Sequence, residues 1–217
     1  MKIGIPKERR IGERRIAATP DVVKKLINIG AEVSVESGAG EFASVSDDSM
    51  RHVGANILDS SAAIYENAEI ILKVQRPIDI EEGGLDEMSM LREGMILIGL
   101  LSPLFNRSQV EDYAKRGVTA FSMDLIPRIS RAQSMDVLSS QSNIAGYKAV
   151  IEAANTFGRI FPMMMTAAGT ISPTKVLILG AGVAGLQSIA TAKRLGAVVS
   201  AFDVRPVVKE QVQSLGA

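Results

Sequence analysis

The residues whose spacing points most directly to chemistry are glycines. Gly180, Gly182 and Gly185 stand as G-x-G-x-x-G directly after the apolar run Val176-Leu177-Ile178-Leu179. A buried strand, a glycine turn and a helix in that order form a cradle for a pyrophosphate. Gly180 permits the tight turn, Gly182 lets backbone amides approach the phosphates, and Gly185 lets the helix pack close to the strand. Val183 opens the helix, whose free N–H groups present a partial positive charge to an anion. The glycine spacing alone often marks only a packing turn. Here a second strand, Val198–Phe202, follows the helix and closes on Asp203. An acid at that place accepts hydrogen bonds from an adenosine ribose and repels a 2′-phosphate, which favours NAD over NADP. Val204 adjoins it, and Arg205 argues the other way, because a nearby arginine accommodates a 2′-phosphate.

A second set of polar candidates precedes this motif. Arg128, Ile129, Ser130, Arg131, Gln133, Asp136 and Ser139 lie in the tract 127–142, which is rich in Ser, Gln and Arg and too weakly periodic to read as helix or strand. A solvated linker between domains would account for its polarity, and Arg131 reads as solvent-facing. The only histidine, His52, lies in an early helical stretch and reads as solvated. The triple Met163-Met164-Met165 reads as helix core filler.

The elements that must position these residues alternate between strand and helix. Lys2–Ile5 is a short strand. Thr19-Pro20-Asp21 then offers an N-cap, a first-turn proline and a first-turn acid before apolar residues at helical spacing, and Gly30 ends that helix. Glu32–Glu36 alternates as a strand, and Ser46-Asp47-Asp48 and Asp59-Ser60-Ser61 start two further helical pieces. Ile70–Val74, Met95–Leu101 and Val118–Phe121 read as the best buried strands, with Asn106 capping a helix between the last two. This order predicts an α/β chain: a doubly wound parallel-sheet domain over residues 1–142, including the polar tract. Residues 143–170 read as a connecting helical segment, apolar to about Ala168 and interrupted at Pro162. Residues 171–217 read as the start of a Rossmann domain. One and a half βαβ units are too few for a dinucleotide-binding sheet, so the chain reads as truncated.

Composition narrows the classes. The chain has 217 residues, 24 basic and 24 acidic, and no cysteine. Balanced charge gives no electrostatic reason to expect nucleic acid or an anionic membrane as partner. Disulfides and thiolate metal sites are excluded. The N-terminus lacks the apolar region of a signal peptide, and the longest apolar stretch is too short to span a bilayer, so a soluble, intracellular chain without direct membrane insertion is expected.

Several segments resemble a known family. Ile5-Pro6-Lys7-Glu8, Glu13-Arg14-Arg15-Ile16-Ala17-Ala18-Thr19-Pro20 and Lys73-Val74-Gln75-Arg76-Pro77 are similar to the opening of alanine dehydrogenases and transhydrogenase alpha subunits. In alanine dehydrogenase the arginine and lysine at the positions of Arg15 and Lys73 hold the substrate. That enzyme also uses a histidine where this chain reads Leu100-Leu101-Ser102-Pro103. Oxidising an amino acid needs a base as well as a hydride acceptor. The run from Arg128 to Ser142 resembles instead the nicotinamide-contacting loop of transhydrogenases. So do the segments Phe161–Thr170 and Ala190–Ala197. The chain is thus similar to the NAD(H)-binding domain of proton-translocating NAD(P) transhydrogenase alpha subunits.

The resemblance implies that Arg128, Gln133, Asp136 and Ser139 surround the nicotinamide and its ribose, with Arg128 and Asp136 paired and Gln133 facing a second nucleotide. It implies NAD as cofactor, a homodimer, and partners on a beta subunit: an NADP(H)-binding domain and a membrane proton channel. The place implied is peripheral, on the cytoplasmic face of the inner membrane or the matrix side. Arg15 and Lys73 become structural residues with no substrate to hold. Two alternatives remain open: an alanine or related amino-acid dehydrogenase using another base, and a truncated NAD-binding module without activity.

Overall fold

A computed structural model describes the backbone of residues 1–217 and the side-chain environment of all of them except positions 81 and 83. The chain divides into two compact units, Met1–Met135 and Asp136–Ala217.

The first unit contains β1 (Lys2–Ile5), α1 (Pro20–Asn28), β2 (Glu32–Glu36), α2 (Asp47–His52), β3 (Asn56–Leu58), α3 (Ser61–Asn67) and β4 (Ile70–Gln75). It continues through α4 (Ile80–Gly83), α5 (Glu87–Met90), β5 (Ile96–Leu100), α6 (Arg107–Lys115) and β6 (Thr119–Ser122). The strands form one parallel sheet in the order β3-β2-β1-β4-β5-β6. The expected doubly wound sheet is therefore present, and its order reverses between β1 and β4.

Period-2 patterning explains why both faces are covered. Ile70 and Leu72 pack with Ile3, Ile5, Val33 and Val35 against Val23 of α1 and Met50 of α2. Ile71, between them in sequence, joins Leu97, Ile64 and Tyr65 of α3 and Tyr113 of α6 in a separate cluster. Ser46 and Ser60 cap α2 and α3 by accepting the Ser49 and Ala63 amides, as their residue types suggest. Asn106 precedes α6 but does not cap it with its side chain; its Nδ2 donates to the Ser102 carbonyl. The segment Val118–Phe121 differs from its expectation as a buried strand. β6 is the edge of the sheet, and its Thr119, Ala120 and Phe121 are exposed. Its apolar content predicts a strand, while its place in the strand order sets its burial.

The second unit contains α7 (Val137–Thr156), β7 (Met164–Thr166), β8 (Gly169–Ile171), β9 (Lys175–Leu179), α8 (Val183–Arg194), β10 (Val198–Phe202) and α9 (Lys209–Ser214). β9 and β10 pair in parallel from Lys175↔Val198 to Leu179↔Phe202. Val150 of α7, Ile189 and Ala192 of α8, Val199 of β10 and Phe161 share one core. Ser188 Oγ of α8 donates to the Gly146 carbonyl of α7 at 2.9 Å.

Three expectations for this region differ from the structure. The tract 127–142 is not irregular throughout: a 3₁₀ turn spans Ser130–Met135, and α7 already begins at Val137. The start is fixed by Asp136, whose carboxylate accepts the Ser139 amide at 2.8 Å. The helix also ends earlier than Ala168, and Gly158 follows with φ of 69°, a conformation that stops a helix. Met163–Met165 is therefore not helix core. Met164 and Met165 pair with Ile171 and Thr170 in an antiparallel hairpin, and all three methionines are exposed.

Candidate functional site

The glycine turn joins β9 to α8 by the geometry its spacing requires. Gly180 has φ of 94°, a region that side-chain-bearing residues avoid, and its amide donates to the Phe202 carbonyl at 2.7 Å. The turn is thereby pinned to the end of β10. A Cβ on Gly185 would lie 1.8 Å from the Gly180 carbonyl oxygen, so the first turn of α8 sits against the turn as only glycine allows. Gly182 is the N-cap of α8 and supplies no side-chain cap. The ladder of α8 starts with Leu186 N donating to the Gly182 carbonyl at 2.8 Å, so the amides of Val183, Ala184 and Gly185 precede it. A Cβ on Gly182 would meet nothing within 4 Å. An uncapped helix terminus with open space over its N-cap fits a diphosphate in both shape and charge.

Asp203 stands beside this turn. Its carboxylate accepts the Ala181 amide at 2.7 Å, the Arg205 amide at 2.8 Å, and Arg205 Nε and Nη2 at 3.0 Å each. The Arg205 guanidinium first, and then the Ala181 amide, hold this carboxyl well below the usual carboxylate range. Arg205, which on sequence grounds could serve a 2′-phosphate, is folded back onto Asp203. Val204 between them is exposed. Beyond lies a hollow of about 430 Å³ lined by residues that include Phe202, Asp203, Arg205, Pro206 and Lys209.

The polar tract is placed in two parts. Arg128, Ile129, Ser130, Arg131 and Gln133 belong to the first unit and are exposed, with Ser130, Arg131 and Gln133 on the 3₁₀ turn around buried Ala132. Asp136 and Ser139 belong to the second unit and are brought together at the start of α7. Ser139 donates its amide to Asp136 Oδ1 at 2.8 Å and its hydroxyl to Oδ2 at 2.6 Å. Gly180, Gly182, Val183, Gly185, Asp203, Val204 and Arg205 share the second unit with them.

Arg15 and Lys73 are both occupied by the protein's own carboxylates. Arg15 Nε and Nη2 donate to Glu13 at 2.7 and 2.6 Å. Lys73 Nζ donates to both oxygens of Glu87 at 2.7 and 2.8 Å. Glu8 Oε2 lies farther from Lys73 Nζ, at 3.7 Å, and neither Glu8 nor Glu87 is singled out by a reading of the sequence. A lysine inside the apolar strand Ile70-Ile71-Leu72-Lys73-Val74 signals that a buried cation must be paired, but not by which acid. His52 ends α2 and is exposed.

The N-terminal domain of the alanine dehydrogenase/PNT family matches residues 4–145, and its C-terminal domain matches residues 149–217. An NAD(P) transhydrogenase subunit alpha protein of Rhodospirillum rubrum is 59% identical over 216 residues, spanning 100% of this chain and 56% of that protein. A solved transhydrogenase from Sinorhizobium meliloti superposes with a TM-score of 0.92 at 50% identity, covering 100% of this chain and 63% of the other. A solved L-alanine dehydrogenase superposes with a TM-score of 0.84 at 27% identity, covering 99% and 58%. The chain thus spans little more than half the length of the curated transhydrogenase protein. Matched through both domains, and more similar in sequence to the transhydrogenases than to the dehydrogenase, the chain belongs to the alanine dehydrogenase/PNT family.

Proposed function

We propose that this chain is the NAD(H)-binding part of an NAD(P) transhydrogenase alpha subunit. The observation that carries the reading is the β9–turn–α8 cradle, with an uncapped helix terminus and Asp203 at the end of the neighbouring strand. The amides of Val183, Ala184 and Gly185 would hold the diphosphate, and the oxygens of Asp203 the adenosine ribose. Asp203 also keeps Arg205 engaged, which removes the cation a 2′-phosphate would need and favours NAD over NADP.

When bound, the nicotinamide supplies the carbon that gives or takes a hydride. By the loop's resemblance to transhydrogenases, we assign Arg128, Gln133, Asp136 and Ser139 to its ring, carboxamide and ribose. Their work is orientation and exclusion of water, with the two rings at near-attack distance, roughly 3–3.5 Å. Transfer between two nicotinamides moves no proton at the reacting carbons, so these residues need neither acid nor base. Ile129, Ser130 and Arg131 flank that group. The remaining components of the reading are an NADP(H)-binding domain and a proton channel on a membrane-embedded beta subunit, with this chain peripheral and dimeric. Among the described residues no helix is long and apolar enough to cross a membrane, which accords with a peripheral place.

The dehydrogenase alternative has less support. Lys73 and Arg15 are already paired with Glu87 and Glu13, and the segment Leu100–Pro103 offers no proton acceptor of histidine type. Parallel fluorescence titrations with NADH and NADPH test the reading. Preference for NADH supports it and justifies a transfer assay with an NADP(H)-loaded partner. Equal or tighter NADPH binding overturns the role of Asp203. Pyruvate- and ammonia-dependent NADH oxidation would restore the dehydrogenase.

A further inference from the structure

Two helices of the second unit, α7 and α8, meet more closely than side chains would allow. The buried residues of α7 are Gly146 and Val150, one turn apart. A Cβ on Gly146 would lie 2.1 Å from the Ala184 carbonyl oxygen and 2.9 Å from its carbon, so backbone touches backbone there. Ser188 Oγ stands 2.9 Å from the carbonyl oxygens of both Gly146 and Ala184, and one hydroxyl thereby ties the helices at that level. Ala184 belongs to the first turn of α8, whose amides precede the helix ladder.

The helices run side by side in one direction. Gly146 meets the start of α8, and two turns later Ala154 shares a hollow with Arg194 and Leu195 at its end. Their starts are staggered. Gly146 is the tenth residue of α7 and Ala184 the second of α8. At about 1.5 Å per residue, α7 reaches roughly 12 Å past the α8 terminus. The overhang carries Ser139, which lies two turns before Gly146 and on the same face of the helix. That face rests on α8 at Gly146 and, at Ser139, continues over the space in front of the α8 terminus. Asp136 fixes Ser139 by accepting both its amide and its hydroxyl.

We propose that Gly146 is a positioning residue for the dinucleotide. By letting α7 seat on the first turn of α8, it sets the distance from the diphosphate amides to Ser139, and hence whether the nicotinamide end of the same molecule is held. The proposal rests on the nucleotide reading given above. A wedge at Gly146 would act mainly on one helix. The first turn of α8 is held from another side, where Gly185 packs on Gly180 and the turn is bonded to the end of β10. α7 is held by a narrow stripe, so it is the element that moves. An ordinary carbon–oxygen contact is about 3.3 Å, and the added methyl therefore drives α7 outward by roughly 1 Å.

Calorimetric titration of the full chain with NADH and with ADP, which carries the adenosine and diphosphate alone, tests this. In Gly146→Ala the ADP dissociation constant should stay within about twofold of the parent while that for NADH rises roughly tenfold, the loss of a hydrogen bond or two. Val150→Ala is the structural control. It hollows the same seam one turn on without forcing the helices apart, so it should melt lower and keep the parent's NADH-to-ADP ratio. An unchanged ratio in G146A overturns the proposal, whether both affinities stay or both fall equally. If G146A does not fold, Ser188→Ala decides, because it removes the tie and adds no atom. There NADH should weaken about threefold with ADP unchanged, and an unchanged ratio again overturns the proposal. The parent separates this proposal from the reading beneath it. A parent that binds neither ligand overturns both, and one that binds ADP as tightly as NADH overturns the role of Gly146. A parent that prefers NADH leaves the nucleotide reading standing whatever G146A does.

Discussion

Gly185→Ala, set beside Gly182→Ala, separates the packing role of the glycine turn from its binding role. The added Cβ would stand 1.8 Å from the Gly180 carbonyl oxygen and 2.8 Å from its carbon. An ordinary carbon–oxygen contact is about 3.3 Å, so the first turn of α8 must retreat from β9 by roughly 1.5 Å. Gly180 cannot give way easily, because its amide is bonded to Phe202 and its φ is 94°. Overpacking of this kind costs about 1–3 kcal/mol. For a unit of this size that lowers the melting temperature by roughly 10 °C. The same displacement would move the Val183 and Ala184 amides off the diphosphate proposed for them. Hydrogen bonds to a charged group contribute about 1.5–3 kcal/mol, so NADH affinity should fall by roughly 10- to 100-fold. Gly182→Ala is the matched control: its Cβ meets nothing within 4 Å and its φ of −78° suits any residue. G182A should therefore melt like the parent and lose NADH affinity, because the methyl enters the space of the ligand alone. Calorimetry with a fluorescence titration reads both quantities. A G185A chain with parental melting and an NADH dissociation constant within about twofold would refute the reasoning.

Three further outcomes are expected. Asp203→Asn loses the charge that holds Arg205; NADH affinity should drop roughly 10-fold while NADPH affinity rises, read by parallel titration, and an unchanged ratio would count against the role given to Asp203. Lys73→Ala strands Glu87 without its cation and should destabilise the first unit by about 3–5 kcal/mol, with NADH affinity near normal in the folded chain. A large affinity loss there would show that the first-unit cluster serves the nucleotide. Glu13 is held at about 2, first by its hydrogen bonds to Arg15, against an ordinary value of 4.5. Its folded value is depressed, so its contribution is present above 4.5 and lost as pH falls toward 2. Glu13→Gln should flatten that limb of a stability–pH profile, and an unchanged limb would remove Glu13 from the account.

Local sequence determined what local physics controls. The run Val176–Leu179 before three spaced glycines, and Asp203 after the next apolar strand, specified the β9–turn–α8–β10 unit, because strand, turn and helix there each depend on a few adjacent residues. The helix starts at Ser46-Asp47-Asp48 and Asp59-Ser60-Ser61 are legible for the same reason, though the structure decides which residue caps, and so is the doubly wound sheet from the alternation of apolar strands with helices. The polar tract was only partly legible. Its lack of periodicity hid the start of α7, since a single cap, Asp136 with Ser139, fixes that start. The methionine triple folds as an exposed hairpin and not as a core helix, because apolar type alone does not separate the two.

Pairings across long sequence separations were left to tertiary structure. Val118–Phe121 reads as a strand from its residues, yet only the strand order makes it an exposed edge. Lys73 announces a buried cation, but Glu8 lies 65 positions before it in the chain and Glu87 only 14 after it, and nothing in residue type ranks one above the other. The fold ranks them by distance. It brings Glu87 to 2.7 Å and holds Glu8 at 3.7 Å, and in a low-dielectric interior that difference decides which carboxylate is the partner.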